Sequence, residues 1–241
     1  MTREEFSNGF DILASSYKRF KDFDKQEHLD SVEFNEYEKS LFLTKAQEEI
    51  VLSLYNGKNP YGDTFEGTEE IRRSLSNLVE EKKLKPIVNT NGTPLGVSTT
   101  STFFILPEDL WFLTMEAVII SNGKCEEKTI MKVYPVKQDE YQNIKDNPFR
   151  GANDRRALRL DLSEGNVEII CKYTVDTYYV RYLKKVPSII LEDLPNELTI
   201  GKENEACDCI LHESLHQRIL ETAVRMALQS KGYSSEKENR E

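Results

Sequence analysis

The 241-residue chain is poor in cysteine, histidine and tryptophan, with four, three and one of each. The cysteines stand at 125, 171, 207 and 209 and show no framework spacing, so a reducing compartment and no disulfide scaffold are expected. No apolar run approaches the roughly 20 residues that cross a bilayer. The longest, around Ala117 to Ile120, is far shorter, and no membrane partner is expected. The opening Met1-Thr2-Arg3-Glu4-Glu5 lacks the apolar stretch of a secretory signal, which points to a soluble intracellular product. Positive charge is also scarce: 32 Lys+Arg face 42 Asp+Glu, a net charge of −10. Such a surface repels nucleic acid and argues against a general DNA- or RNA-binding role. It leaves room for a conduit through which DNA slides without being gripped. There is no glycine-rich phosphate loop, and no Ser or Cys has a histidine at a recognisable nucleophile spacing, so no cofactor is expected.

What is present changes texture along the chain. Thr2 and Glu5 form a capping box ahead of an apolar stripe at Phe6, Phe10, Leu13, Tyr17 and Phe20, which predicts a helix. An acidic, less periodic stretch covers 28–38. Thr44 and Gln47 read as a second capping box before Ala46, Ile50, Val51 and Leu54, with Asn56-Gly57 as the stop. A third helix is expected from Thr68 to just before Pro86, carrying Ile71, Leu75, Leu78 and Val79, with Lys82, Lys83 and Lys85 at its negative end.

After the Thr90-Asn91-Gly92-Thr93-Pro94 turn cluster the pattern becomes β. Strands are expected over 97–106 and 112–121, and the Asn122-Gly123 turn makes a hairpin with 126–136. A short helix is expected over 138–145. A second hairpin joins 157–162 to 167–173, and a further strand runs over 177–185 before Pro187 breaks it. The last helix falls between Cys209 and Ser230, ahead of a polar tail. The expected class is therefore α+β. N-terminal helices (1–90) and a C-terminal helix (196–231) form a helical body. An antiparallel β-rich middle of two hairpins plus extra strands (91–195) is inserted into it, and the tail (232–241) is expected to be disordered.

One string names a chemistry at face value. His212-Glu213-Ser214-Leu215-His216 reads H-E-x-x-H, which on a helix places two histidines on one face around a zinc ion, with the glutamate as general base. Three features oppose it. The only other histidine, His28, is in a distant segment, so a third ligand is missing. Glu221 is too close in sequence to wrap round an ion at His212 and His216. Ser214 with Gln217 forms a capping box that would start the helix after His212. A structural site from Cys207, Cys209, His212 and His216 would crowd four ligands into ten residues. No catalytic residue and no metal is therefore expected, with a zinc-dependent hydrolase through His212 and His216 as the weaker alternative.

Two further groups suggest contacts. Arg150, Arg155, Arg156 and Arg159 cluster beside Asn147-Pro148-Phe149 and could make ion-pair or phosphate contacts across a subunit boundary, or line a solvated loop. Tyr173, Tyr178, Tyr179 and Tyr182 could be interface anchors or half-buried strand residues. Phe149, Arg150, Arg155, Arg156, Arg159 and Tyr182 are taken as the subunit-interface candidates.

Several segments together resemble one group. They are 37–47 leading to Leu54-Tyr55-Asn56-Gly57; Asn147-Pro148-Phe149-Arg150 followed by Leu158-Arg159-Leu160; 175–191 (VDTYYVRYLKKVPSIIL); and 215–220 with Ala223-Val224-Arg225-Met226-Ala227. In this order they are similar to the head–tail connector, or ring, proteins of crAss-like tailed bacteriophages, over most of residues 30–230. Related proteins often carry proline where His212 stands, so the zinc-like string arises where this chain departs from them. The resemblance implies a virion structural protein made in the bacterial host cytoplasm. It implies a cyclic homo-oligomer of twelve copies below the portal protein, stacked on neighbouring ring or tail proteins. Genomic double-stranded DNA would pass through without specific binding. It implies no catalytic residue. A phage assembly factor absent from the particle is the remaining alternative.

Overall fold

The computed structural model describes residues 1–22, 33–58, 64–65, 67–87, 96–121, 129–195 and 197–231. His28, the loop at 59–63, the turn cluster at 90–94, the Asn122-Gly123 turn, Cys125 and the tail 232–241 lie outside them, as do the side chains of Tyr17 and Phe20. The chain divides into two compact units, residues 1–77 with 186–241, and residues 78–185.

The first unit is built on helices α1 (Arg3–Asp22), α2 (Glu36–Tyr55), the short α3 (Glu69–Ser74) and α5 (His216–Ser230). The Thr2–Glu5 box caps α1: Glu5 N donates to Thr2 Oγ1 at 3.2 Å and Thr2 N to Glu5 Oε2 at 2.8 Å. Phe6 and Phe10 are buried in the core with Leu43, Ile50 and Val51 of α2 and Ile219, Ala223 and Val224 of α5. Each fully buried large apolar side chain contributes about 1.5–3 kcal/mol.

The box expected at Thr44 and Gln47 is not a helix start. The real one is Asn35 with Glu38, nine residues earlier, and it makes α2 20 residues long. Thr44 and Gln47 are buried in mid-helix, one and two turns after Ser40, and point at the extended segment 187–191. Gln47 Nε2 donates to Pro187 O at 2.8 Å, Ile189 N donates to Thr44 Oγ1 at 3.0 Å, and Leu191 N donates to Ser40 Oγ at 3.0 Å. Helical spacing on one side thus matches strand alternation on the other. On the opposite edge Ile190 pairs with Cys207. Pro187 fits because it has no N–H to satisfy.

The expected third helix is corrected. It stops at Ser74, and Leu78 ends a 3-10 turn that leads into strand β1 (Val79–Leu84). Lys82 and Lys83 are strand residues, not the cationic end of a helix. Local sequence favoured either state; cross-strand pairing with a tyrosine-rich partner selects the strand.

The second unit is a seven-stranded sheet in the order β1-β7-β3-β4-β5-β6-β2. The remaining strands are β2 (Ser101–Ile105), β3 (Leu110–Ser121), β4 (Thr129–Pro135), β5 (Arg156–Asp161), β6 (Asn166–Ile170) and β7 (Thr174–Lys184), with helix α4 (Gln138–Ile144) between β4 and β5. Both expected hairpins form, β3–β4 and β5–β6. The sheet is mixed rather than antiparallel, because β4 and β5 run parallel. The residues of α4 and its flanking turns supply the crossover that parallel neighbours need. The sheet curls into a half-barrel. Phe104 on edge strand β2 stacks obliquely on Tyr178 of β7 at 5.3 Å, and Ile87 N, just past β1, donates to Phe103 O at 2.9 Å. Val118, Ile120, Met131, Val133, Ile169, Val180 and Tyr182 fill the concave side. α4 covers part of the convex side, where Tyr141 packs on Leu158, Leu160 and Ile170.

Candidate interaction surface

The zinc signature does not form its site geometry. His212 is the cap of a 3-10 turn (Glu213–Leu215), its ring accepting from Ser214 N at 3.3 Å, and α5 begins only at His216. The sequence placed this cap on Ser214; Gln217 instead bonds Glu221. With one histidine outside the helix, the pair does not share a helical face. The two cysteines turn away from the histidines: Cys209 Sγ donates to Gln47 Oε1 at 3.3 Å and Cys207 Sγ to Asp208 O at 3.7 Å. Among the described residues no group of three His, Cys, Asp or Glu side chains is placed to hold a metal ion.

His216 is instead a structural residue. Its Nε2 donates to Leu211 O at 3.0 Å and its Nδ1 lies 2.7 Å from the Met1 amino group, which assigns the neutral Nε2–H form. Burial holds its pKa below the usual 6.5. The unfolded chain therefore binds the proton more readily, so His216 removes stability as pH falls below about 6.5, until the folded pKa is passed. His216→Gln should flatten the fall in stability between about pH 7 and 5. Urea midpoints measured across that range check this; parallel losses in both proteins would refute it.

The arginine and tyrosine candidates separate into buried and exposed sets. Arg159 lies inside the half-barrel, its Nη1 2.5 Å from Glu116 Oε1 and its Nε 2.9 Å from Asp161 Oδ1. The Arg159 and Glu116 side chains are only 10% and 9% exposed. Tyr178 donates to the other Glu116 oxygen at 2.5 Å, and burial followed by that negative charge drives its pKa far upward. Tyr182 is fully buried, with its hydroxyl 3.1 Å from Asp109. Tyr173 donates to Asp154 and Tyr179 to Glu81, at 2.9 and 2.5 Å. These four tyrosines thus pair with carboxylates of their own unit.

Phe149, Arg150 and Arg155 face solvent, and Phe149 is 84% exposed. Such exposure is unusual for a large apolar side chain, and the loop holding it is tightly ordered. Asn147 Oδ1 accepts from Phe149 N and Arg150 N at 2.9 and 3.1 Å, and Asn147 O accepts from Gly151 N at 2.7 Å. Asn153 Oδ1 accepts from Arg155 N at 2.9 Å. Arg156 donates to Phe149 O at 2.8 Å while its guanidinium stacks 4.3 Å from the Tyr134 ring. A Cβ on Gly151 would meet three backbone oxygens, those of Lys145, Asn147 and Ile144, at 2.7, 2.8 and 2.9 Å. Gly151→Ala should therefore open the loop and cost about 1–3 kcal/mol. An unchanged unfolding midpoint, with unchanged proteolysis at Arg150 and Arg155, would contradict this.

The loop continues onto the convex face of the sheet. Met131 and Val133 point inward, so Ile130, Lys132 and Tyr134 alternate outward. Lys132 is the register partner of Arg156, and Ile130 is 70% exposed. Sequence reading missed Ile130 and Glu116, since each is one alternating position in an otherwise ordinary strand. The surface gathers cations and isolated large apolar groups in a rigid frame. That composition suits docking rather than acid–base chemistry.

A family model described as phage tail ring protein 3/4 matches residues 1–239. Ring protein 3 of Bacteroides phage crAss001 is 42% identical over 234 residues, 96% of each chain. Ring protein 4/5 of the same phage is 28% identical over 236 residues, covering 94% of this chain and 92% of the relative.

Proposed function

Because the chain belongs to the phage tail ring protein 3/4 family, we propose that it is a structural subunit of a ring in the virion, at the head–tail connector or tail. The observation that carries this reading is the match to Ring protein 3 along 96% of both chains. The subunit forms a cyclic homo-oligomer of twelve copies, stacked with the portal protein and neighbouring ring or tail proteins. The ring forms part of the conduit for genome and cargo ejection. Double-stranded DNA passes through it without specific binding, which the net charge of −10 favours. The subunit is made in the host cytoplasm and incorporated into the particle; no helix among the described residues is long and apolar enough to cross a membrane.

A ring subunit meets its neighbours through two different faces, so contacts must be heterologous and closed by rotation. Electron microscopy of purified particles should show a closed ring whose density fits this chain, with twelve copies. Mass spectrometry of the same particles should detect it. Particles that lack it would make it an assembly factor that departs before completion, and would overturn the ring reading.

A further inference from the structure

The charge of the chain is divided very unevenly. Residues 1–77 with 186–241 hold 16 Lys+Arg against 27 Asp+Glu, a net −11, whereas residues 78–185 hold 16 against 15, a net +1. On the second unit one group of exposed and half-exposed cations lies beside exposed apolar side chains. Lys132, Arg150, Arg155 and Arg156 surround Phe149, Ile130 and Tyr134 on one continuous surface of loop and strand. The acid nearest to it in sequence, Asp154, is already paired with Lys172 at 2.7 Å.

We infer that in the ring this surface docks onto the acidic first unit of the adjacent copy. The inference rests on the ring reading above and names the contact that closes it. A patch meeting its own copy would bring Arg150, Arg155 and Lys132 against like charges, which opposes a two-fold dimer. The first unit offers the opposite sign, with Glu48, Glu49, Glu192, Asp193, Glu197 and Glu205 all exposed. Every copy therefore carries both halves of the contact, and repetition around an axis uses them all. Phe149 supplies the apolar anchor, held ready by the Asn147 turn, and the arginines give register and discrimination.

The test mixes two forms of the full chain. One carries the photocrosslinker benzoylphenylalanine in place of Phe149, and the other is wild type labelled with nitrogen-15. After irradiation, mass spectrometry identifies the joined peptides. Position 149 should be joined to labelled peptides from residues 1–77 or 186–241. Joining confined to 78–185, or no joined pair, overturns this contact. In parallel, Arg150→Glu with Arg155→Glu, checked for an unchanged circular dichroism spectrum, should weaken self-association at least about tenfold. Raising the salt should weaken the wild type in the same direction. Full association by the folded double variant would also overturn the contact. Its failure is separable from that of the ring reading: particles whose micrographs show a ring of this chain, while position 149 joins elsewhere, retain the ring and discard this interface.

Discussion

Arg159→Met is expected to lower the stability of the fold by about 3–5 kcal/mol, because it strands a charged carboxylate in an apolar half-barrel. Glu116 would lose its 2.5 Å partner while its surroundings, Val118, Val180 and Tyr178, stay dry. Tyr178 alone would remain as a donor, and a hydroxyl does not compensate a buried negative charge. The pair Arg159→Met with Glu116→Leu should recover most of the loss, since two apolar groups fit the same space. The lone tryptophan, Trp111 in β3, is a fluorescence reporter on this sheet, and urea titration of the four proteins completes the cycle. A single Arg159→Met variant with wild-type midpoint but impaired self-association would return Arg159 to the subunit boundary, where sequence alone had placed it. The burial of its side chain argues for the internal role.

Ser40→Ala with Thr44→Val should cost about 2–6 kcal/mol, from two buried backbone N–H groups left unpaired at about 1–3 kcal/mol each. Both substitutions nearly preserve volume, so a cavity explains little of the loss. Thr44 Oγ1 bonds both Ile189 N, at 3.0 Å, and Ile189 O, at 3.3 Å, and Ser40 Oγ receives Leu191 N at 3.0 Å. Neither side chain serves its own helix as a start. They replace the neighbouring strand that the 187–191 segment lacks on this edge. Amide hydrogen exchange at Ile189 and Leu191 should accelerate together in the double variant and not at Val180, which belongs to the β7 ladder. Protection unchanged at Ile189 would refute the role given to Thr44.

Much of the local structure was legible because it depends on neighbours in sequence. The Thr2–Glu5 box, the stop at Asn56-Gly57, the two hairpins and the short helix after Val136 each rest on a few adjacent residues. The α+β class followed from them. Errors arose where the same local signal has two uses. The Thr44–Gln47 spacing fits a cap and also fits one buried helix face. Ser214–Gln217 fits a cap, but the ring of His212 holds the position. The stretch after Leu78 has charged residues that suit either a helix end or an edge strand, and pairing with β7 decides.

The candidate surface shows the same division. Sequence placed Phe149, Arg150, Arg155, Arg156, Arg159 and Tyr182 in one set, since clustering and charge were all it offered. The strand register turns Arg159 and Tyr182 inward and leaves the loop residues outside. A one-residue change of register would have reversed that choice. It also brings Ile130 and Lys132 beside Arg156, from a strand about 25 residues away.

By itself, the sequence determined the acidic balance, the helix and strand segments with strong local signals, and the ordered motifs that resemble ring proteins. These are properties of composition and short range. Only the tertiary structure decided the parallel β4–β5 pairing, the curl that encloses Glu116 and Arg159, and which arginines remain for a partner. Those outcomes depend on which distant strands hydrogen-bond and in what register, and side-chain direction follows from that pairing.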